Sequence, residues 1–532
     1  MSSLINSVVA TSSSYLKPPL CTLAEKAATS LLRDISNGTF IIHTPGHTYT
    51  FGEQRKKERL FHHHHGSSSS QAPHAELTVL NPNFWLRLCA MGDLGFSEAY
   101  MYGEIDCEDL VQVFLVFLAN RAQLSAIDNS FFTRIVGNLP ELGLTARIVN
   151  TVTNARKNIS AHYDISNGMF MGFLSRDMTY SCAIFPELDS DLRDPPSSHS
   201  LSPEEGQTPS LTGASTPATL AESEHGELLK DLSLNVYNLF AHHGEIRHAH
   251  DTESHDPLEA AQLRKLQHII RKADIRPGHK VLEIGSGWGS MSLLITSTIP
   301  GTTVDTLTLS TQQAELARAR AAAAGLSDRI RVHLMDYRNM PSEWEGAFDR
   351  LVSIEMVEAV GKEYMETYWS KIDWALNKET GVGVVQGITI PEARFEQYMR
   401  EVDFIRKWVI FPGGFLPTLT FLVDTLTKGS QGRLVIDSVS NIGPHYSRTL
   451  REWRRRFQAR FEDTIVPALK AEYPGVMDTD DVSARAEIEV FRRKWIYYYC
   501  YCEVGFTTRR LGDHIITFSR EGNLEYGCQV DE

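Results

Sequence analysis

The run Val281-Leu282-Glu283-Ile284-Gly285-Ser286-Gly287-Trp288-Gly289 constrains the fold more than any other stretch. An apolar segment carrying one acid opens into glycines at alternate positions, and a helical pattern follows. Such a run reads as a buried parallel strand turning sharply into a helix, with a backbone approach that only glycine permits. The loop is therefore a candidate cradle for a nucleotide or nucleoside. Ser290 stands where the G-x-G-x-x-G dinucleotide fingerprint has its third glycine, which argues against NAD or FAD. No Gly-Lys-Ser/Thr ending marks a phosphate loop. S-adenosylmethionine (SAM), which carries no pyrophosphate, fits better, and a purely structural strand–turn–helix stays open.

The pattern around the loop is regular. Strand-like runs at Lys280–Ile284, Thr303–Leu309, Ile330–Leu334, Asp349–Ser353 and Gly381–Gln386 alternate with helical segments such as Gln312–Ala324 and Tyr364–Leu376. This alternation predicts an α/β, Rossmann-like domain built on a mostly parallel, doubly wound sheet. Ligands of such sheets sit at the carboxyl ends of the strands. There the sequence offers the glycine loop, then Thr308-Leu309-Ser310-Thr311-Gln312-Gln313 with hydroxyls and amides for a ribose. Asp336-Tyr337 follows, an acceptor for an adenine amino group beside a ring to stack on it. Asp305 lies about twenty residues past the loop, at a ribose-acid spacing, yet inside the strand, where it is as readily turned to the opposite side. Glu355 and Glu358, three residues apart, would share one helix face at the pocket mouth or simply complement a helix N-terminus.

The N-terminal part is different. Thr39–His43 and Thr48–Phe51 read as short strands meeting at Pro45-Gly46, Ala75–Leu80 as another strand, and Glu108–Asn120 as a helix. We expect a Ser-rich disordered tail over 1–20, a small α+β domain over 21–125, a helical connector over 126–160 and the α/β domain over 161–525. A Pro-, Ser- and acid-rich insertion at 186–255 interrupts the last, with too little apolar content to order itself beyond a helical piece at Leu228–Ala241. His62-His63-His64-His65 and the histidines between His242 and His255 lack regular ligand spacing, so no metal site is expected. A net charge of −14 disfavours a nucleic-acid partner. Seven scattered cysteines without a C-x-x-C pair or secretory signal point to a reducing, cytoplasmic setting. The longest apolar run, Leu110–Ala119, is about half of a membrane span.

The sequence resembles the cyclopropane-fatty-acyl-phospholipid synthases. The resemblance rests on His162-Tyr163-Asp164-Ile165-Ser166-Asn167, Met178 to Phe185, Ala261-Gln262-Leu263-Arg264-Lys265, the glycine loop and Asp336-Tyr337-Arg338. It continues through Glu358-Ala359-Val360-Gly361, Phe411 to Pro417, Asn441 to Tyr446, Tyr498 to Phe506 and Phe518-Ser519-Arg520. Gly92-Asp93-Leu94-Gly95 through Tyr100 is similar to the lipid-binding domain of these enzymes, and Gln386 to Pro391 looks like the plant-type variant.

The resemblance implies transfer of a methylene carbon from SAM to the cis double bond of a phospholipid acyl chain. A lipid C-methyltransferase leaving a branch on the acyl group of a phospholipid or sphingolipid is the alternative, and a non-catalytic lipid-binding protein the second. The resemblance also implies a SAM site of Tyr180, Ser181, Ile284, Gly285, Gly287, Trp288, Gly289, Thr308, Leu309, Gln313, Asp336 and Tyr337. A bound bicarbonate would be the base, caged by Cys182, Glu358 and Tyr446 with backbone near Ile388. Gln386 would stand where many bacterial members have histidine, and Cys502 matches a cysteine long proposed as catalytic. The implied partner is a membrane phospholipid met at the surface, with a homodimer left open. Arg451 to Phe457 and Arg492-Arg493-Lys494-Trp495 mix basic and aromatic residues, as an interfacial patch does, or a solvated helix face with buried aromatics.

Overall fold

The computed structural model describes residues 19–52, 72–124, 166–193, 256–408, 414–479 and 481–527. The expected tail to residue 18, the connector, the helical piece at Leu228–Ala241, the histidine runs and Phe411–Gly413 lie outside them. The protein divides into two compact units. The first draws on residues up to Asp164, Glu401–Pro412 and Val466–Val504; the second comprises Ile165–Arg400, Gly413–Ile465 and Gly505 onward. The first unit thus recruits two distant segments that a linear reading of boundaries assigns to the α/β part.

In the first unit β1 (Thr39–His43) pairs antiparallel with β2 (Thr48–Gly52) and parallel with β3 (His74–Val79), whose end pairs with β4 (Ile105–Asp106). The helix Asn83–Met101 kinks at Gly92, where φ is 54°. Its buried Arg87 forks onto Glu104 (3.0 and 2.9 Å) and reaches Glu98 (2.7 Å), so these buried carboxylates are paired rather than stranded.

The second unit is the expected Rossmann-like α/β domain. Its strands are β5 (Lys280–Ile284), β6 (Thr303–Thr308), β7 (Ile330–Leu334), β8 (Arg350–Ile354), β9 (Val382–Thr389), β10 (Leu434–Asn441) and β11 (Gly512–Arg520), in the order β10-β11-β9-β8-β5-β6-β7. Only β11 runs antiparallel to its neighbours. The strand order reverses at β5, between β8 and β6, so the crevice beyond their carboxyl ends is the expected ligand position. Leu282, Ile284, Leu351, Val385, Tyr368, Trp369 and Phe518 fill the core beneath it.

Two alternatives left open by the sequence are decided here. Asp305 is turned away from any ribose: Arg331 forks onto it (2.8 and 2.6 Å) and His333 Nε2 lies 2.8 Å away. The cause is register, since Asp305 sits opposite Arg331 in the β6–β7 ladder. The basic–aromatic segments follow the second alternative, with buried aromatics and part-exposed arginines. Trp453, Phe457 and Trp495 are buried, while Arg451 bonds Asp191 (2.7 and 3.0 Å) and Arg493 bonds the Tyr100 and Ile105 carbonyls (2.5 and 2.7 Å). Asp191 belongs to a short helix, Ser190–Arg193, so the stretch expected to be unordered begins with structure.

Burial alone would raise the Asp305 carboxyl, but the bonds from Arg331 and His333 outweigh it and hold it at about 2. A carboxyl depressed in the folded state stabilises above its unfolded pKa, and loses that contribution as pH falls through the folded one. Asp305→Asn should therefore cost about 2 kcal/mol at neutral pH. Denaturant melts should show the difference shrinking between about pH 4 and pH 2.

Candidate active site

Three glycines shape the loop after β5, with φ of 97°, 47° and 89° at Gly285, Gly287 and Gly289. A Cβ at Gly285 would meet the Met356 side chain at 3.2 Å, and one at Gly289 would meet Ala317 at 3.2 Å, whereas Gly287 faces open space. That is a cradle that a nucleoside can approach closely, so SAM fits the residues present. The Gly285 and Ser286 N–H groups are spent on the Leu307 carbonyl (3.0 and 2.8 Å), which holds the loop onto β6. Ile284 and Trp288 are buried, and the Trp288 indole donates to Asn167 (2.7 Å).

Past β6, Thr308 Oγ1 donates to Gln313 Oε1 (2.8 Å), and Leu309 is 74% exposed. Past β7, Arg338 forks onto Asp336 (2.9 and 2.6 Å) and keeps that carboxylate ionised and below its usual range. The Tyr337 ring packs edge-on against Tyr368, centroids 5.4 Å apart.

A strip of residues, 177–185, lies over the loop without being helix or strand. The Asp177 carbonyl accepts from Ser290 Oγ and from the buried Arg320 (3.1 Å), which also donates to the Trp288 carbonyl (2.5 Å). Ser290, where the dinucleotide fingerprint has glycine, thus fastens the strip to the loop. Gln262 and Lys265, one helical turn apart on Pro257–Lys272, hold the Ser181 carbonyl (2.7 Å) and Ser181 Oγ (2.6 Å). Tyr180 packs among Phe170, Phe173 and Trp453 at centroid distances of 5.1, 5.9 and 5.0 Å.

Beyond the strip lies a carboxylate cluster. Glu355 and Glu358 do not share a helix face: Glu355 directly follows β8 in the left-handed region (φ 48°), and only a single 3-10 turn, Val357–Ala359, comes after it. Glu355 Oε1 accepts from the Cys182 backbone N–H (2.8 Å) and from Gln386 Nε2 (2.9 Å), and its Oε2 accepts from the Tyr446 hydroxyl (2.6 Å). Glu358 Oε1 accepts from the Ile388 N–H (2.5 Å). Gln386 also donates to Asp513 Oδ2 (2.8 Å). Burial, then the Glu355 charge, pushes Glu358 up to about 8 and Asp513 well above the carboxylate range. Burial lowers Lys265 while Glu355 opposes that shift, so the ammonium faces a negative partner.

The structure thus brings Cys182, Glu358, Gln386 and Tyr446 together, around Glu355, a residue the sequence does not place among them. The expected bicarbonate does not fit. The donors it would need are already taken: Cys182 N–H and Tyr446 O–H are engaged by Glu355, and Ile388 N–H by Glu358. The Cys182 thiol, buried and raised well above its ordinary value, acts through its backbone and not its sulfur. Cys502 lies in the first unit, where burial drives its thiol far above the range of a nucleophile. Lys265 sits inside the Ala261–Lys265 motif, which assigns it no role; Asp513 and Arg320 carry no sequence signal.

The model of the mycolic acid cyclopropane synthetase family matches residues 150–198 and 222–512, more than half of the protein. The chain belongs to this family. Tuberculostearic acid methyltransferase of Mycobacterium tuberculosis is 31% identical over 437 residues, 82% of this chain and 81% of that protein. Cyclopropane-fatty-acyl-phospholipid synthase of Escherichia coli is 26% identical over 458 residues, 86% and 90% of the two proteins. A coclaurine N-methyltransferase solved with N-methylheliamine and SAH shares the fold, with a TM-score of 0.50 at 16% identity, covering 80% of this chain and 99% of that one. As a mycolic acid cyclopropane synthetase family member, the protein is a SAM-dependent lipid methyltransferase in the broad sense that spans methyl and methylene transfer.

Arg320→Leu removes one of the two side chains that tie strip to loop, the other being Ser290. With about 1.5–3 kcal/mol for a charged hydrogen bond, SAM affinity should fall at least about tenfold in calorimetry. Circular dichroism should still show the folded α/β domain.

Proposed function

We propose that this protein delivers the methyl carbon of SAM to the cis double bond of an unsaturated phospholipid acyl chain and closes a cyclopropane ring. One observation carries the reading: beside the SAM cradle stands a hydrogen-bonded carboxylate cage, with the nearby thiol of Cys182 kept protonated. Such a site is equipped to remove a proton, not to form a covalent adduct. When bound, SAM supplies an electrophilic methyl carbon on a sulfonium. An alkene is a weak nucleophile, so the protein must hold it in line with that carbon. The strip over the glycine loop performs this positioning, with Tyr180, Ser181, Thr308, Gln313, Asp336 and Tyr337 holding the cofactor.

Alkylation of an alkene leaves a carbocation on the lipid, which water would capture. The aromatic row Tyr180, Trp453, Tyr446 and Phe506 offers π faces in place of water; Tyr446 and Phe506 stack at 4.5 Å. Loss of a proton from the transferred methyl then closes the ring. The similarity to a tuberculostearic acid methyltransferase favours a second reading, in which the carbon remains a branch. Proton loss alone then gives a methylene-branched alkene, and a saturated methyl branch takes a hydride from a separate donor. The phospholipid is met at a membrane surface in either reading.

The test incubates the full-length protein with methyl-labelled SAM and vesicles of unsaturated phospholipid, then analyses the acyl groups by mass spectrometry. A label in a cyclopropane ring is the expected result. A labelled methylene or methyl branch selects the second reading, and no labelled lipid overturns both.

A further inference from the structure

We infer that the carboxylate of Glu355 is the base of this site: the protein holds its own proton acceptor where its relatives' chemistry implied a bound anion. The inference rests on the proposed function and deepens it. Three donors converge on this one side chain, from the Cys182 backbone, the Gln386 amide and the Tyr446 hydroxyl. They come from the strip, from β9 and from the helix Gly443–Ala459, three elements that share no local sequence. A set of donors aimed at one point is what an anion requires, and Glu355 fills it with both oxygens used.

The backbone supports the same assignment. Glutamate has no intrinsic preference for a left-handed conformation, yet Glu355 adopts φ 48°. Such a conformation is strained for glutamate and persists where the surroundings over-determine it. Here the Glu355 N–H is fixed on the Gln386 carbonyl (2.9 Å), which turns the side chain off the strand and into the cage. Gln386 therefore holds Glu355 twice, by its backbone and by its amide. An amide suits this position: a cationic residue there would neutralise the base, whereas Gln386 donates without competing for the proton.

Hydrogen-bond donors distinguish the three carboxyls. Glu358 has one donor on Oε1, and its Oε2 is buried without a partner; Asp513 has Gln386 on Oδ2 and an equally buried Oδ1. Burial raises all three carboxyls, Glu355 included. Only Glu355 gathers donors on both oxygens, and the Lys265 charge adds to them in favouring its ionised form.

In the step, the alkene π pair forms the new C–C bond as the C–S bond breaks onto sulfur. A methyl C–H bond then breaks: its electron pair closes the ring on the cationic carbon and its proton passes to Glu355. The proton leaves to water when the products depart.

Glu355→Gln keeps the shape and removes the base. Its product formation should fall at least about a hundredfold, with SAM affinity by calorimetry within about twofold of the parent protein. Glu355→Gly should vacate the cage and regain turnover with added bicarbonate or formate. The parent protein should work equally in bicarbonate-depleted and bicarbonate-supplemented buffer. Carbon-13 NMR of labelled bicarbonate, which needs no turnover, should show binding to Glu355→Gly and none to the parent. An unaltered Glu355→Gln rate, a parent rate that depends on bicarbonate, or bicarbonate binding to the parent overturns the assignment. Failure of the parent protein to label any lipid is the distinct failure of the proposed function.

Discussion

The backbone of residues 177–185 belongs to no helix and no strand, so its polar groups have to be satisfied by neighbours. Those neighbours are the whole domain. Asp177 is held by Ser290 and Arg320, Ser181 by Gln262 and Lys265, Cys182 by Glu355, Ala183 by Thr449 and Phe185 by His445. The strip therefore cannot lie down until the glycine loop, the helix Pro257–Lys272, the end of β8 and the helix Gly443–Ala459 are in place. Conversely, with the strip down, each of them has lost its freedom to drift. Cofactor cradle and carboxylate cage are thus joined through one covalent segment, with Asp177 at one end and Cys182 near the other.

This arrangement explains why the polar cluster is tolerated in the interior. Three carboxyl groups and one lysine gathered out of water would be costly if all were charged. Burial pushes all three carboxyls up and the lysine down, each towards its neutral form, and the hydrogen-bond donors that oppose this gather on Glu355.

How much of this was legible in the sequence depends on whether a feature is periodic or convergent. Lys280–Ile284 and Ile330–Leu334 were readable to the residue, because apolar runs bounded by glycine or loop signals report directly on buried strands. β10 and β11 were not, because β10 alternates buried and exposed residues across a bulge and β11 follows a 26-residue helix. Asp305 needed only the register: Arg331 and His333 alternate on the face of β7 that it meets. Glu355 was visible as an acid, but a spacing of three suggested a helix. Only a left-handed turn separates it from Glu358, and no pattern announces a glutamate in that conformation. Cys182, Gln386 and Tyr446 could be named through a resemblance, yet what they converge on is a property of three dimensions.

β11 is the one strand that runs against the others. Parallel strands reach the ligand edge with their last residues, as β9 does with Gln386. A reversed strand reaches the same edge with its first residues, so Asp513 stands there while already bonded into the ladder opposite Ile388. Its carboxyl is positioned with the stiffness of a sheet, not of a connecting segment. Of the acids in the cluster it is the one least able to swing, which makes β11 the fixed wall against which the more strained turn at Glu355 is set.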